Sequence, residues 1–291
     1  MTRYAWFEGD IHNHEDGSVP IEEHIEKVRQ AGYDFICLQY KDMEDPRRIP
    51  DPNGVSREDL LVIPGAEQAF KSSRGLWVHF GFLPFDIPMP DTITDYFNIE
   101  QGLKEAERRH PGCLKILHHP SSGRSTMEDN RIAHDFGARY FELNARRERI
   151  QEMVDLWDSC LSSDMFLMAT LSTDAHGLAG IRRCGYVLAH ASSLERDSIL
   201  GALQSGDFVA VEEGCKVRPE IAGASGRKGS YEVAVEGAVE IAFIGSDGKV
   251  LDRTKGSRAR YRIRGNEGYV RAEAKDGEGL RLFAQPYVVP R

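Results

Sequence analysis

Two histidines separated by one residue, His12 and His14, constrain this chain more than any other feature of its sequence. They close the segment 9–14 (GDIHNH), which follows an apolar run at residues 4–7 that predicts a buried strand. Side chains two positions apart on a strand point to the same side. At a strand end that faces a cavity, both imidazoles can therefore reach one metal ion. The pair alone does not establish a metal site, which requires further ligands elsewhere in the chain.

The composition is that of an ordinary globular protein, with 41% hydrophobic and 29% charged residues. Its 291 residues exceed the usual size of one domain, so we expect one large domain or a large and a small one. The net charge of -9 argues against nucleic acid as a partner, because binding to a phosphate backbone requires a basic face. No apolar run is long enough for a membrane span, and no signal peptide is expected.

The five cysteines are odd in number and show no C-x-x-C spacing. They therefore indicate neither a disulfide framework nor a thiolate zinc site. We expect a cytoplasmic protein whose partner is a small, anionic molecule rather than nucleic acid or a membrane.

Apolar runs typical of strands alternate with helical patterns as far as about residue 215. A helical period follows Pro20, and another follows Asn98, whose side chain fits a capping box with Gln101. Ser192 and Glu195 fit a second capping box ahead of a further helix. Such alternation predicts a parallel sheet covered on its faces, either a barrel or a doubly wound sheet. The apolar runs lie at residues 35–38, 60–63, 77–82, 114–117, 140–143, 166–171 and 185–188.

The pattern changes after about residue 215. Residues 231–235 alternate apolar side chains with polar or small ones, and no helical period follows. Asp-Gly pairs at 247–248 and 276–277 are typical of hairpin turns. We therefore predict a larger domain over residues 1–215 and a small, sandwich-like antiparallel β domain of about five to seven strands over residues 216–291.

Side chains that can bind metals recur at the ends of the predicted strands. Because the carboxyl ends of parallel strands open on one face, side chains there converge on one cavity. Each residue alone could equally be a solvated loop residue or a core histidine, but seven of them at strand ends favour a shared site. Imidazoles and carboxylates without thiolate suit zinc, manganese or iron. Besides His12 and His14, these residues are Glu67, His79, His119, Asp174 and His176.

The sequence resembles a known family. GDIHNH at 9–14, PGAE at 64–67, His119-Pro120 and STDAH at 172–176 are, in this order, similar to the motifs of the polymerase and histidinol phosphatase (PHP) superfamily. The resemblance covers residues 5–215 and implies a distorted seven-stranded β/α barrel that binds two or three metal ions and hydrolyses phosphate esters. The tail, notably residues 268–273 and 285–288, resembles the C-terminal β domain of the carbaryl-hydrolase-like PHP branch.

The resemblance implies two divalent metal ions bridged by one carboxylate. Two close cations clamp a substrate oxygen and lower the pKa of a shared water. Neighbouring residues of a strand face opposite ways, so only one of His118 and His119 can point into the cavity, and we choose His119. The implied ligands are His12, His14, Glu67 and Asp174 for the first ion, and Glu67, His79 and His119 for the second.

Two departures from the family pattern concern a third metal. Residues 39–41 are Gln-Tyr-Lys where the family usually has Thr-Asp-His, and Val19-Pro20 stands where an acidic residue or a histidine is frequent. In three-metal relatives these positions, with the one matching His176, hold the third ion, so we predict that this site is lost. Lys41 lies where that cation would sit. Its ammonium is a candidate for replacing the charge, and a solvated lysine is the alternative.

We expect a metal-dependent hydrolase, foremost a phosphoesterase that acts on a small molecule by attack of a metal-activated hydroxide. His176, released from the third site, is the candidate proton donor to the leaving group. Arginine suits the binding of phosphate, and loops after two strands carry such residues. The candidate catalytic residues are His176, Lys41 and Asp174, and the candidate substrate-binding residues are Arg124, Arg146 (or Arg147) and Asn144.

Three alternatives stay open. The same metals could serve a carbamate, ester or amide hydrolase, which the resemblance of the tail favours. The altered residues 39–41 favour a barrel that binds a ligand without converting it. An eight-stranded amidohydrolase barrel also carries His-x-His on its first strand, but its last ligand is an Asp without the Asp-x-His pair of Asp174 and His176, so we rank it below the PHP barrel.

Overall fold

The computed structural model of the chain describes residues 4–14, 17–41, 55–85, 97–120, 125–144, 149–225 and 229–290. None of the helices in these ranges combines the length and the apolar character needed to cross a membrane. The helices are α1 (Ile21–Gln30), α2 (Ile99–Arg109), α3 (Met127–Asp135), α4 (Ile150–Ser162) and α5 (Arg196–Ser205). The strands are β1 (Ala5–His14), β2 (Phe35–Lys41), β3 (Leu61–Lys71), β4 (Trp77–Leu83), β5 (Leu114–Leu117), β6 (Tyr140–Glu142), β7 (Met168–Thr170), β8 (Ala175–His176), β9 (Gly185–Ala191), β10 (Phe208–Glu212), β11 (Arg218–Ser225), β12 (Ser230–Glu236), β13 (Glu240–Gly245), β14 (Lys249–Lys255), β15 (Arg258–Arg262), β16 (Tyr269–Lys275) and β17 (Arg281–Val288).

A large mixed sheet forms the centre of this α/β fold. Its strand order is β14-β13-β16-β17-β10-β9-β1-β2-β3-β4-β5-β6-β7, and β8 pairs with the end of β1. β1, β2 and β3 run parallel, as do β5, β6 and β7. The prediction of a parallel sheet is wrong for β4, which is antiparallel to both neighbours, and for β9, which is antiparallel to β1. Residues 72–76 return the chain directly into β4, without the crossover that a parallel strand needs.

The tail after residue 215 consists of antiparallel strands, as predicted. β11, β12 and β15 form a separate three-stranded sheet. β13, β14, β16 and β17 instead continue the large sheet, because β17 pairs with β10. The large sheet therefore crosses the boundary at residue 215, and the division into two domains stays a prediction.

Of the two capping boxes predicted from the sequence, the structure contains one. The box of Asn98 with Gln101 is confirmed, since the Asn98 side chain accepts a hydrogen bond from the Gln101 N–H and the Gln101 side chain accepts one from the Asn98 N–H. The box of Ser192 with Glu195 is wrong. The helix α5 begins after both residues, and no side-chain hydrogen bond caps its start.

The helix α3 was not predicted from the sequence, although it has a capping box of its own. The Thr126 hydroxyl accepts a hydrogen bond from the Asp129 N–H at 3.0 Å, and the Asp129 carboxylate accepts one from the Thr126 N–H at 2.8 Å. Asp129 is buried and also accepts a hydrogen bond from the Ser73 N–H at 2.7 Å. The start of α3 therefore anchors the turn between β3 and β4.

Apolar side chains pack against both faces of the sheet. On β4, Val78 and Phe80 point outward and pack in one cluster with Trp157 of α4. Leu83 of the same strand points inward and packs in a second cluster with Ile116 of β5. This alternation defines an outer face covered by helices and an inner face, to which His79 belongs.

The end of the sheet at β7 is closed by a side chain. The Gln285 carboxamide on β17 accepts a hydrogen bond from the Ala169 N–H at 2.8 Å and donates one to the Ala169 carbonyl at 2.9 Å. Both backbone groups of Ala169 are thus bonded as a neighbouring strand would bond them. Gln285 thereby links β17 to β7.

Candidate metal centre

The side chains expected to bind metal come together at one edge of the sheet. β1, β3 and the chain after β5 and β7 reach this edge with their carboxyl ends, where parallel strands place ligands. β4 runs in the opposite direction, so its beginning, with His79, lies at the same edge; Ala69 of β3 pairs with His79. The residues that converge there are His12, His14, Glu67, His79, His118, His119, Glu142 and Asp174.

The rings of His12 and His14 face each other through Nε2 atoms only 2.9 Å apart. His12 Nδ1 donates to Glu142 Oε1 at 2.8 Å, and His14 Nδ1 donates to the Gln39 carbonyl at 2.7 Å. Burial and the neighbouring charge of His118 lower the pKa of His12 to about 4, so this ring is neutral near pH 7. In the tautomer that carries its proton on Nδ1, each ring presents a lone pair at Nε2. Two facing lone pairs fit a cation between them.

Two carboxylates complete the surroundings of this histidine pair. Asp174 Oδ1 lies 3.3 Å from His12 Nε2, and Glu67 Oε2 lies 3.3 Å from His14 Nε2. Asp174 Oδ1 is buried and accepts no hydrogen bond from any residue that the structure describes. A buried carboxylate oxygen in this state is costly unless it binds a cation. The donor set of two imidazoles and two carboxylates therefore fits a divalent metal ion.

The loop that carries Asp174 is held against β1 by Asp10. Asp10 Oδ1 accepts hydrogen bonds from the backbone N–H groups of His12, at 3.2 Å, and Thr173, at 3.1 Å. The Asp174 N–H donates to the His12 carbonyl at 2.9 Å, and Asp174 has a φ of 47°, in the left-handed region. Burial raises the pKa of Asp10 to about 6. Asp10, to which the sequence assigned no role, thus fixes the geometry of two predicted ligands.

A second cluster forms around the other oxygen of Glu67. Oε1 lies 2.7 Å from His79 Nδ1 and 3.4 Å from His119 Nε2. Burial alone would raise the pKa of Glu67, but its interactions with the imidazoles of His119, His14 and His79 outweigh it and hold the pKa well below its usual value. Burial would likewise lower the pKa of His119, yet the hydrogen bond to Glu67 raises it. Glu67 therefore lies between two groups of imidazoles, as a bridging ligand would.

His118 lies in the cluster together with His119, so the argument that only one of them can point inward is wrong. β5 ends at Leu117, and His119 adopts a φ of 26°, which breaks the alternation of a strand. His118 Nε2 lies 3.0 Å from Gln39 Oε1, and its Nδ1 lies 3.2 Å from Glu142 Oε1. His118 thus occupies the layer behind the predicted ligands.

Glu142 is a central residue that the sequence analysis missed. It is fully buried, and its Oε2 accepts a hydrogen bond from the His119 N–H at 2.9 Å. The Ser172 hydroxyl donates to its Oε1. Burial would raise the pKa of Glu142, but its interactions with the imidazoles of His12 and His118 hold the pKa well below the usual value. The available signal was a carboxylate inside the apolar run 140–143.

Gln39 takes part in the site through hydrogen bonds. Its carbonyl accepts from His14, its Oε1 faces His118, and its Nε2 donates to the Ile11 carbonyl at 2.6 Å. This position, where the sequence departs from the PHP pattern, thus orients two imidazoles.

The other predicted site residues have more varied positions. His176 is exposed, and its ring centre lies 4.6 Å from that of His14. Asn144 is buried, and its Oδ1 accepts a hydrogen bond from the Ser172 N–H at 2.9 Å. Arg124, Arg146, Arg147 and the side chain of Lys41 lie outside the described residues.

Among the residues that the structure describes, three triplets of side chains each bring one ligand atom per residue within 4.8 Å of one another, and all three include His12. The triplets are His12, His14 and Asp174; His12, Glu67 and His119; and His12, His118 and Glu142. In the last triplet His12 Nδ1 is already hydrogen-bonded to Glu142, so the first two are better suited to a metal ion.

Comparison with solved structures shows what the fold is similar to. The crystal structure of a two-domain protein containing a predicted PHP-like metal-dependent phosphoesterase, from Bacteroides vulgatus ATCC 8482, covers 98% of this chain and 95% of its own at 15% sequence identity, with a TM-score of 0.50. PsfC from Pseudomonas syringae PB-5123 covers 68% of this chain and 88% of its own at 16% identity, with a TM-score of 0.49. A scan against protein-family models and a search of the curated proteins found no match. The chain thus shares its overall fold with the Bacteroides two-domain protein, over nearly the whole length of both.

Proposed function

We propose that this chain is a metal-dependent hydrolase that cleaves phosphate esters of small molecules. The observation that carries the proposal is the pair of Nε2 atoms of His12 and His14, 2.9 Å apart, with Asp174 Oδ1 beside them. Imidazole lone pairs and a carboxylate oxygen repel one another at such distances unless a cation lies among them. The fold shared with a protein described as containing a PHP-like metal-dependent phosphoesterase supports this choice of reaction.

The proposal includes two divalent ions, of manganese, zinc or iron. His12, His14, Asp174 and Glu67 would hold the first, and Glu67, His79 and His119 the second. Bound ions of this kind polarise the phosphoryl oxygen and lower the pKa of a water, so that it can attack the ester. No third ion is proposed, because residues 39–41 and Val19-Pro20 lack the side chains that hold a third ion in three-metal PHP relatives.

Residues around the ligands would act on the substrate. His176, at the exposed rim beside His14, would donate a proton to the leaving oxygen. Arg124, Arg146, Lys41 and Asn144 would bind the anionic part of the ester. We further propose a distorted seven-stranded barrel over residues 1–215, a β domain over residues 216–291 and a cytoplasmic location, for which the five free thiols are supporting evidence.

The first test is the metal content of the protein purified without chelator, measured by elemental mass spectrometry. We expect about two ions per chain, together with the release of phosphate from small esters. His14→Ala should lose metal and activity, while His134→Ala, on α3 outside the cluster, should keep both. Three ions per chain would show that the third site is retained. No ions, even after addition of manganese or zinc, would contradict the proposal and favour a ligand-binding protein.

A carbamate, ester or amide hydrolase using the same ligands is the second candidate. The resemblance of the tail to the carbaryl-hydrolase-like branch favours it. A comparison of phenyl phosphate with an aryl carbamate as substrates distinguishes the two: faster turnover of the carbamate would favour the second candidate over the phosphoesterase.

A further inference from the structure

The hairpin of β3 and β4 carries an exposed aromatic side chain on the same face as the candidate ligands. Lys71 pairs with Trp77, Ala69 with His79 and Glu67 with Gly81. Directly opposed residues of an antiparallel pair share one face, and residues two positions apart on a strand point to the same side. Trp77 therefore lies one step beyond His79 on the inner face, about 7 Å further along the strand.

Trp77 is 40% exposed, and Lys71 holds its ammonium 5.1 Å from the centre of the indole ring. Its strand neighbour Val78 points to the opposite face and is buried in the core. Trp77 is thus exposed although its strand is packed against the core. A large indole surface and a positive charge are presented together at the rim of the metal centre.

The hairpin is fixed by contacts with the rest of the protein. The Lys71 N–H donates to the Phe97 carbonyl at 3.0 Å, and the Ser73 N–H donates to the buried Asp129 at 2.7 Å. Within the turn, the Gly75 N–H donates to the Ser72 carbonyl at 2.9 Å. An aromatic ring held on such a support can bind a planar partner without first being ordered.

We propose that Trp77 is a specificity residue that stacks on an aromatic ring in the alcohol part of the substrate, with Lys71 beside it. The inference rests on the proposed phosphoesterase function and names its substrate class: phosphate monoesters whose alcohol carries a planar ring at about the length of one sugar from the phosphorus. The spacing of about 7 Å between His79 and Trp77 along the strand selects this length. A nucleoside monophosphate has such a shape, and an aryl phosphate is the shorter alternative.

The test compares two esters that share a phosphate and a sugar and differ in the ring, adenosine 5′-monophosphate and ribose 5-phosphate. We expect the first to have a kcat/KM about tenfold higher, the size of one stacking interaction. Trp77→Ala should reduce this ratio to about one, chiefly through KM, and Trp77→Phe should keep part of it. Leu76→Ala, at the neighbouring residue with 43% exposure, should keep the full ratio. If Trp77→Ala left the ratio of the two kcat/KM values unchanged, the proposal would be overturned. Turnover of phenyl phosphate, in which the ring is attached directly to the phosphate, tests whether a shorter distance between ring and phosphorus is accepted.

Binding without turnover separates this inference from the proposed function. Adenosine alone, added to the protein as purified, should shift the indole N–H signal of Trp77 in a proton–nitrogen NMR spectrum. The protein has three tryptophans, and Trp77→Phe assigns the signal by removing it. A shift in a protein that hydrolyses no ester would keep the aromatic site and reject the phosphoesterase. Ester hydrolysis with no shift and no preference for the ring would reject the aromatic site alone.

Discussion

Arg271 of β16 donates two parallel hydrogen bonds to Asp158 of α4, from Nε to Oδ1 and from Nη2 to Oδ2, both at 2.7 Å. Both side chains are buried, and the guanidinium also lies 4.7 Å from the ring centre of Trp157. This pair joins residues 113 positions apart in the sequence, one in the predicted larger domain and one in the tail. The tail is therefore attached to the rest of the chain by a buried ion pair.

We expect Arg271→Leu to lower the free energy of unfolding by about 3 to 5 kcal/mol, because it leaves the Asp158 carboxylate buried without its cation. Urea unfolding followed by far-UV circular dichroism measures this. The matched control is Arg258→Leu, whose partner Glu220 is exposed like Arg258 itself; there we expect a loss of at most about 1 kcal/mol. Equal losses in both variants would show that the buried pair has no special role.

The stability of the tail should depend on pH through Glu273. Burial would raise the pKa of Glu273, but the charges of Arg271 and Arg281 outweigh it and lower the pKa below the usual value of 4.5. Below pH 4.5 the unfolded chain therefore binds a proton before the folded chain does. The stabilisation by Glu273 is complete above that pH and disappears as the pH falls through the lowered pKa.

Glu273→Gln should accordingly be less stable than the parent protein at pH 7, and the difference should shrink below about pH 4.5. Thermal unfolding at a series of pH values measures it. Glu278→Gln, at an exposed carboxylate paired with Lys216, serves as the control and should differ little at any pH. A difference between parent and Glu273→Gln that grows toward acid pH would contradict the assignment.

The Gln285 carboxamide can be tested by its chemistry. Gln285→Ala should lower the free energy of unfolding by about 1 to 3 kcal/mol, since the Ala169 N–H and carbonyl lose their partner. Gln285→Glu should lower the free energy of unfolding at pH 7 by more than Gln285→Ala does. An ionised carboxylate presents an acceptor to the Ala169 carbonyl, where the amide donates a hydrogen bond. Chemical unfolding at pH 7 ranks the variants. A Glu variant as stable as the parent would mean that this contact is not needed.

Glu142 should control metal affinity although it is not a proposed ligand. Its Oε1 accepts from His12 Nδ1 and its Oε2 from the His119 N–H, so a glutamine must place an amide group against one of these donors. We expect Glu142→Gln to weaken binding of manganese or zinc by about 10- to 100-fold. Competition with a chelating dye measures the affinity. Glu107→Gln, a carboxylate on α2 paired with Lys115, should bind as tightly as the parent; equal affinities in all three proteins would remove Glu142 from the site.

Local patterns were sufficient to predict most elements of the fold. The capping box of Asn98 and the apolar runs identified a helix and strands that the structure contains. The direction of β4 could not be predicted in this way, because an apolar strand looks the same whether it runs parallel or antiparallel to its neighbour. The short connection at residues 72–76 indicates the antiparallel direction, because a parallel strand needs a much longer crossover.

For the candidate site too, local patterns predicted some residues and not others. His12 and His14 were found because two ligands adjacent on one strand leave a pattern in the sequence. Glu142 and Gln39 were missed because their roles depend on which distant imidazole each one meets, and a glutamate or glutamine carries no periodic signal for that. His118 was misjudged because the strand rule was applied one residue beyond the end of β5.

The bridge from Gln285 to Ala169 has a consequence for how the protein is made. β1, which carries His12 and His14, leaves the ribosome well before β17, and the Gln285 partner of β7 lies 116 residues after Ala169. Until β17 has emerged, Ala169 lacks both of its hydrogen bonds to Gln285, and β10 lacks β17 at its edge. The candidate metal centre therefore reaches its final support only after β17 has been synthesised. A nascent chain halted before residue 281 would hold the ligands but expose unpaired strand edges to other chains.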